Sequence, residues 1–496
     1  MRKLLFAAAF MALPAFSFAQ INITKAHIAA YDQYVEEVRK DWEVPGLAMT
    51  IVKDGKVILK KGYGVRELGK PEPVDTMTLF ACASTTKAMT VTLLGMLVDE
   101  GRLRWNDPVQ KFLPELQLYD PYVSREVTIR DLLVHNTGVG GTDYFTGAMQ
   151  IPVAEMIRRM PLVKPSYSFR DGFVYQNIMY SFAGRIIERI TGKTWAEVIR
   201  ERIFLPLHMD GTAAKRGLAK SANMTRPHFR MEDTIRVIPY GPDSEIGSAG
   251  AVWSNAEDIG KWVISMLDSS RYDGGRLLKP GTWTEIFQPQ TYFPADEYPT
   301  MQLVKPAWRT YALGWYQHDY KGRKLNFHTG SLGGLTAITA QLPEEGLGIF
   351  IFGNLDHAEA RHVLMYKALD WFALGGDRDW NSEIKALYED LSVKNARQTI
   401  AFESRRQADT KPSLPLDKYA GRYRSALYGE AEVVVKGDAL YFNVNNFLRA
   451  TLPHWEYDSF YGVQEKTWNG KVMARFTLSQ DGSVRELVFG GMSFGR

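Results

Sequence analysis

One cysteine, Cys82, occurs in 496 residues. No disulfide can form within such a chain, so the fold must stand on its apolar core. Past the amino-terminal stretch no run of 18 or more apolar residues occurs, which argues against a later membrane-spanning helix. A formal charge of +4 at pH 7 gives no electrostatic case for nucleic acid or a membrane surface. The histidines are scattered without metal-ligand spacing, and no paired-cysteine zinc motif, phosphate loop or dinucleotide fingerprint is present. No metal or cofactor is implied, and the expected partner is a small-molecule or peptide substrate. Tandem repeats and low-complexity tracts are lacking too.

What is present is apolar mass. A content of 45% hydrophobic residues, with 12% aromatics, builds a large core and excludes disorder. The length suggests two or three domains. At the amino end, Met1-Arg2-Lys3, the apolar stretch Leu4 to Leu13, and Ser17-Phe-Ala19 before Gln20 read as a secretory signal spanning 1–19. The apolar span before Pro14 is too short for an anchor, and no cysteine follows the cleavage site to carry a lipid. The expectation is an exported product, periplasmic or secreted, with no membrane span once the signal is removed.

The most informative segment is Phe80-Ala-Cys-Ala-Ser-Thr-Thr-Lys87, just ahead of an apolar helical stretch ending near Gly101. A serine hydroxyl is a weak nucleophile until a base takes its proton. Positions i and i+3 share a helix face, so Ser84 Oγ and Lys87 Nζ can meet. A free lysine has a pKa of about 10.4 and serves as a base near neutral pH only if burial or a neighbouring charge lowers it. Far downstream come Tyr175-Gln-Asn177 and His328-Thr-Gly330. Tyr175 is a second candidate acid–base group. Cys82 lacks a Cys/His setting and reads as a small buried hydrophobe.

Residues 25–42 read as a helix, and Leu47 to Val52 with Val57 to Leu59 as a hairpin around Asp54-Gly55. A middle region to about 235 reads as helix and loop, with a helix over Trp195 to Ile203. Strands follow at 325–328, 336–342 and 347–352, and they must return to the sheet the hairpin begins. Trp380, Ile384, Leu387 and Leu391 are spaced as a helix face, and Arg405 to Leu416 is a polar linker with Pro412 and Pro415. From Tyr419 the pattern turns to short strands, with Asp481-Gly482 joining the last two.

In this order and context the three motifs resemble the serine β-lactamase and penicillin-binding-protein superfamily, in its class C-like branch of esterases, D-aminopeptidases and DD-peptidases. Further segments carry the resemblance over roughly 25–375: Thr128-Ile-Arg-Asp-Leu-Leu-Val-His-Asn-Thr-Gly138, Gly247 to Asp258, Leu313-Gly-Trp315, Gly330-Ser-Leu-Gly-Gly334, and Leu342 to Gly348 with Gly353-Asn354. It implies an α/β (α+β) fold, an antiparallel sheet flanked by helices with a helical subdomain, over residues 20–380. A helical linker over 381–415 and a small all-β, lipocalin-like barrel over 416–496 complete the expected organisation. By the same resemblance Ser84 is the nucleophile, and Lys87 and Tyr175 share the proton transfers. Asn177 orients Lys87, and the backbone N–H groups of Ser84 and Ser331, beside Gly330, form the oxyanion hole.

His328 departs from the pattern. β-Lactamases and most DD-peptidases carry lysine there, a fixed charge for the substrate carboxylate, whereas histidine is largely neutral at pH 7. It keeps a hydrogen bond to offer but anchors a carboxylate weakly. The weight moves toward an ester or amide, including D-amino-acid compounds, and away from a β-lactamase or D-Ala-D-Ala carboxypeptidase. A non-catalytic protein that binds cell-wall fragments or penicillin is the reading from another class. His135 reads as a loop-ordering residue.

Overall fold

The computed structural model describes residues 21–145, 149, 151–241 and 247–496; the signal expected over 1–19 lies outside them. Helix α1 (Lys25–Asp41) starts at Thr24, whose side chain accepts from His27 N. Strands β1 (Gly46–Lys53) and β2 (Lys56–Gly64) follow, turning at Asp54 and Gly55 with φ of 51° and 73°. Two successive left-handed residues suit a tight hairpin, and Asp-Gly adopts them at low cost.

The chain then leaves the sheet and returns as β3 (Thr291–Tyr292), β4 (Arg309–Tyr311), β5 (Tyr316–Tyr320), β6 (Arg323–Leu332), β7 (Leu335–Leu342) and β8 (Leu347–Gly353). The eight-stranded order is β2-β1-β8-β7-β6-β5-β4-β3, with neighbours antiparallel. Strands β7 and β8 are buried along their whole length, because helices cover both faces. On one side α5 (Ala360–Leu369) packs on β7 and β8, with α1 against α5. On the other, α4 (Ala256–Leu267) packs on β1 and β8.

Between β2 and β3 lies the helical part, with α2 (Thr86–Asp99) and α3 (Asn177–Thr191). Helix α2 buries Thr86 through Leu97, matching its nearly uniform apolar surface. The helix expected over Trp195–Ile203 is α-helical only to Ile199 and continues as a π turn over Arg200–Phe204. A hairpin over His228–Met231 and Thr234–Val237 replaces the helix and loop expected there; its register sets Phe229 opposite Arg236 and Ile235 opposite Arg230, so neither face of the pair is wholly apolar.

Helix α6 (Trp380–Glu403) buries Trp380 and Ile384 and leaves most of its later turns exposed. The last eight strands, β9 (Gly421–Ser425), β10 (Gly429–Lys436), β11 (Ala439–Val444), β12 (Leu448–Glu456), β13 (Ser459–Gln464), β14 (Lys471–Leu478), β15 (Val484–Phe489) and β16 (Met492–Gly495), form a closed barrel. Closure falls between Arg424 and Gly495. Its interior is filled: the Phe442 and Phe489 rings stack at 3.7 Å, and Tyr423, Phe460, Leu487 and Phe494 are buried. The barrel docks on the helical part through Tyr428, packed on Tyr144 and Phe145, and through Arg159 Nη1, which donates to Leu427 O at 2.8 Å.

Asp370 ties sheet to helices. Fully buried, it accepts from Tyr320 Oη at 2.7 Å, Lys321 Nζ at 2.6 Å and Trp380 Nε1 at 3.0 Å. Removing the carboxylate strands three donors, so Asp370→Ala should cost about 3 kcal/mol of stability. Denaturant unfolding checks this; a loss under about 1 kcal/mol would show that the three donors find other partners.

Candidate active site

The chain enters α2 through a single 3-10 turn, Ala83–Thr85, with Ala83 at φ 48°. An alanine in the left-handed region is strained by roughly 1–3 kcal/mol. The turn lifts Ser84 to the surface of the cleft, half-buried, while the residues around it are buried. Gly330 of β6 crosses directly behind. A Cβ there would lie 2.4 Å from Cys82 O and 3.1 Å from Ser84 N, so only glycine lets the strand approach this closely.

Lys87 is fully buried. Its Nζ lies 3.2 Å from Ser84 Oγ, 2.7 Å from Asn177 Oδ1 and 2.9 Å from Ala249 O. It also sits over the rings of Tyr175 and Tyr180, at 4.7 and 5.1 Å from their centroids. Burial lowers its pKa to about 7, against an opposing pull from the Asp143 carboxylate. Desolvation wins because the nearest contacts are neutral dipoles and ring faces rather than a paired carboxylate. A fully buried lysine that titrates near neutrality is available as a base.

Asn177 opens α3 and faces both ways, accepting from Lys87 and donating through Nδ2 to Asp143 Oδ1 at 3.1 Å. Tyr175 stands two residues earlier, just ahead of the helix. Burial drives its pKa well above 10, and the nearby Ser84 hydroxyl only partly opposes this; the buried Tyr175 hydroxyl has no hydrogen-bond partner among the described residues. Neutral phenol is its form at physiological pH. His135 Nδ1 accepts from Gln176 N at 3.0 Å and its ring packs on Tyr175 at 4.5 Å, so it holds the start of the Tyr175-Gln-Asn177 segment.

His328 lies on β6, 1% exposed. Burial and then the Lys87 charge lower its pKa to about 3, so the ring is neutral. Nδ1 faces Thr329 O at 2.6 Å and must carry the proton, because a carbonyl only accepts. Nε2 then accepts from Tyr311 Oη at 3.0 Å. The sequence led us to expect a donor toward substrate; the structure commits the ring hydrogen internally. Gly330 is buried, Ser331 exposed.

Ser84, Lys87, Tyr175, Asn177, His328, Gly330 and Ser331 thus meet where α2, α3 and β6 converge. Sequence reasoning missed four participants. Tyr180 shares the α3 face with Asn177, a legible i+3 relation. Ala249 contributes only a carbonyl, and Asp143 lies in an aperiodic segment. Arg361 reaches Gly330 O from below the sheet. Among the described residues no group of three or more His, Cys, Asp or Glu is placed to hold a metal, and no helix is long and apolar enough to cross a membrane.

A half-buried serine beside a buried lysine at a helix start, flanked by a tyrosine and by an inner strand of an antiparallel sheet, defines a serine hydrolase of the β-lactamase fold. The chain belongs to the Beta-lactamase family, whose model matches residues 31–370; a domain of unknown function (DUF3471) matches 405–494. It is 28% identical over 428 residues to an unguisins hydrolase of Aspergillus campestris, covering 82% of this chain and 77% of that one. It is 24% identical to protein flp of Staphylococcus aureus, over 66% of this chain and 62% of the other. The fold matches the octameric penicillin-binding protein homologue from Pyrococcus abyssi with a TM-score of 0.62 at 22% identity, covering 95% and 100% of the two chains. SurE, solved with D-Leu, matches with a TM-score of 0.56 at 19% identity, over 95% and 100%.

Lys87 should titrate near pH 7 in the folded protein. Asp143 favours the charged form, so Asp143→Asn should move the midpoint down. Carbon-13 NMR of the lysine ε carbons, assigned by the loss of one signal in Lys87→Met, reads both. A Lys87 midpoint near 10 would contradict the desolvation argument.

Proposed function

We propose that the chain is an exported serine hydrolase that cleaves an ester or amide bond, including one of a D-amino-acid compound, through a Ser84 acyl-enzyme. The observation that carries this reading is the buried Lys87 amine, 3.2 Å from Ser84 Oγ with its pKa lowered to about 7. In its neutral form it takes the Ser84 proton as Oγ attacks the substrate carbonyl. Tyr175, a neutral phenol beside both groups, gives its proton to the leaving alcohol or amine and is reprotonated from the Lys87 ammonium, so both groups end neutral. Deacylation by water reverses these roles. The Ser84 and Ser331 N–H groups stabilise the oxyanion, and Asn177 holds Lys87 in place.

The neutral, internally bonded His328 supports neutral ester and amide substrates over β-lactams and free-carboxylate peptides. The relative named as an unguisins hydrolase supports a hydrolytic reaction. With this reading go the class C-like assignment, removal of residues 1–19 on export to the periplasm or medium, a hydrolase domain over 20–380, a linker over 381–415 and a lipocalin-like barrel over 416–496.

Ser84→Ala should abolish turnover of p-nitrophenyl esters and D-amino-acid p-nitroanilides while leaving the thermal midpoint intact. A tenth of wild-type turnover in that variant would remove Ser84 as nucleophile. Tyr175→Phe should lower kcat about a hundredfold with little change in KM; an unchanged kcat with a lower midpoint makes it a packing residue. His328→Lys adds a permanent charge to the cleft. The ratio of kcat/KM for nitrocefin over a neutral ester should rise roughly tenfold to a hundredfold, the worth of a charge-assisted hydrogen bond. A ratio that stays put in a folded, reactive variant would show that His328 does not select the substrate.

A further inference from the structure

Arg361 is a buried cation with no part in the proton transfers above. It stands in the first turn of α5, 7% exposed. Its Nη2 and Nε donate to Glu359 at 3.0 and 3.2 Å, and Glu359 also faces His362 Nδ1 at 2.5 Å. Burial would raise the Glu359 carboxyl, but Arg361 and His362 hold it well below the usual carboxylate range. The carboxylate therefore stays charged and pins one edge of the guanidinium.

The remaining terminal nitrogen points at the strand behind the nucleophile. Arg361 Nη1 donates to Gly330 O at 2.7 Å, to Ser331 Oγ at 3.0 Å and to Ala337 O at 3.3 Å. These partners lie on β6 and β7, which pair at Gly330 with Ala337 and at Ser331 with Thr336. Gly330 O and Ser331 N–H are the two ends of one peptide unit. Amide resonance couples them, so a cation bonded to the oxygen draws electron density from the nitrogen and strengthens the N–H as a donor. A charged donor does this more strongly than a neutral one. The same peptide passes within contact of Ser84 N, as the close approach at Gly330 shows.

We infer that Arg361, held by Glu359, is a positioning residue that aims and polarises the Gly330–Ser331 peptide as an oxyanion donor. The inference rests on the proposed Ser84 acyl-enzyme. Arg361 is consumed by protein acceptors and does not itself touch substrate. Its effect is expected in the rate of acylation and in the acyl carbonyl, with KM nearly unchanged.

The test is isotope-edited infrared spectroscopy of the acyl-enzyme formed from a p-nitrophenyl ester carrying a carbon-13 carbonyl, trapped at short times. Arg361→Met combined with Glu359→Gln removes both charges together, so neither is left buried alone. The acyl carbonyl band should move to higher wavenumber than in wild type, and kcat for acylation should fall roughly tenfold to a hundredfold, less than the loss of a whole oxyanion donor. Arg361→Lys keeps a cation opposite Glu359 but loses the planar fork, so it should give an intermediate band position. It also serves if the double variant does not fold. A band that stays at its wild-type position in a folded, acylating variant overturns the inference, as does a large rise in KM with the band unmoved. Failure of the wild type to acylate at Ser84 would instead overturn the proposed function.

Discussion

The site depends on keeping an ammonium-forming side chain away from water. Lys87 is buried at the start of α2, and the protein offers it an amide oxygen, a backbone carbonyl, a hydroxyl and two ring faces but, among the described residues, no carboxylate in direct contact. Each of these groups stabilises the cation somewhat, and together they do not repay its hydration. The amine is therefore driven toward its neutral form near neutral pH, with its lone pair available to Ser84. A carboxylate bonded directly to Nζ would undo this. Asp143 acts one residue removed, through Asn177, and pulls the other way only in part.

Much of the architecture maintains that burial. The nearly all-apolar α2 is buried among the other helices of the helical part, so Lys87 cannot swing to solvent. β6 closes one side, and it comes close enough only because Gly330 has no side chain. The aromatic wall of Tyr175, Tyr180, Tyr311 and the neutral rings of His135 and His328 excludes water from the others. The barrel reaches this assembly indirectly: Tyr428 packs on Tyr144 and Phe145, next to Asp143. A C-terminal domain is thus in contact with the segment that sets the local charge.

The parts of the fold governed by local signals were legible in the sequence. The Asp54-Gly55 hairpin, the uniformly apolar α2 and the strands at 336–342 and 347–352 each carry a pattern that has one physical reading. The Trp195 helix was legible at its start, where Thr194 caps it, but not at its end, where i+5 bonding replaces the α pattern. The site motifs were legible as residue types in order. Their environment was not. That Lys87 loses its proton, that His328 gives its ring hydrogen to a neighbouring carbonyl, and that Arg361 lies under Gly330 all depend on contacts between segments far apart in the chain. Asp143 follows Gly140-Gly141-Thr142, where no periodicity in the sequence marks a residue as facing the cleft.

The central claim is that Ser84 is activated by a neutral Lys87. The most direct measurement is the rate at which a fluorophosphonate labels the protein as a function of pH, with the adduct located by peptide mass spectrometry. The account predicts a single adduct on Ser84, with a labelling rate that climbs as pH rises through about 7 and then levels off as Lys87 loses its proton. An adduct elsewhere, or a Ser84 labelling rate that keeps climbing to pH 10 as for an ordinary lysine, would contradict it.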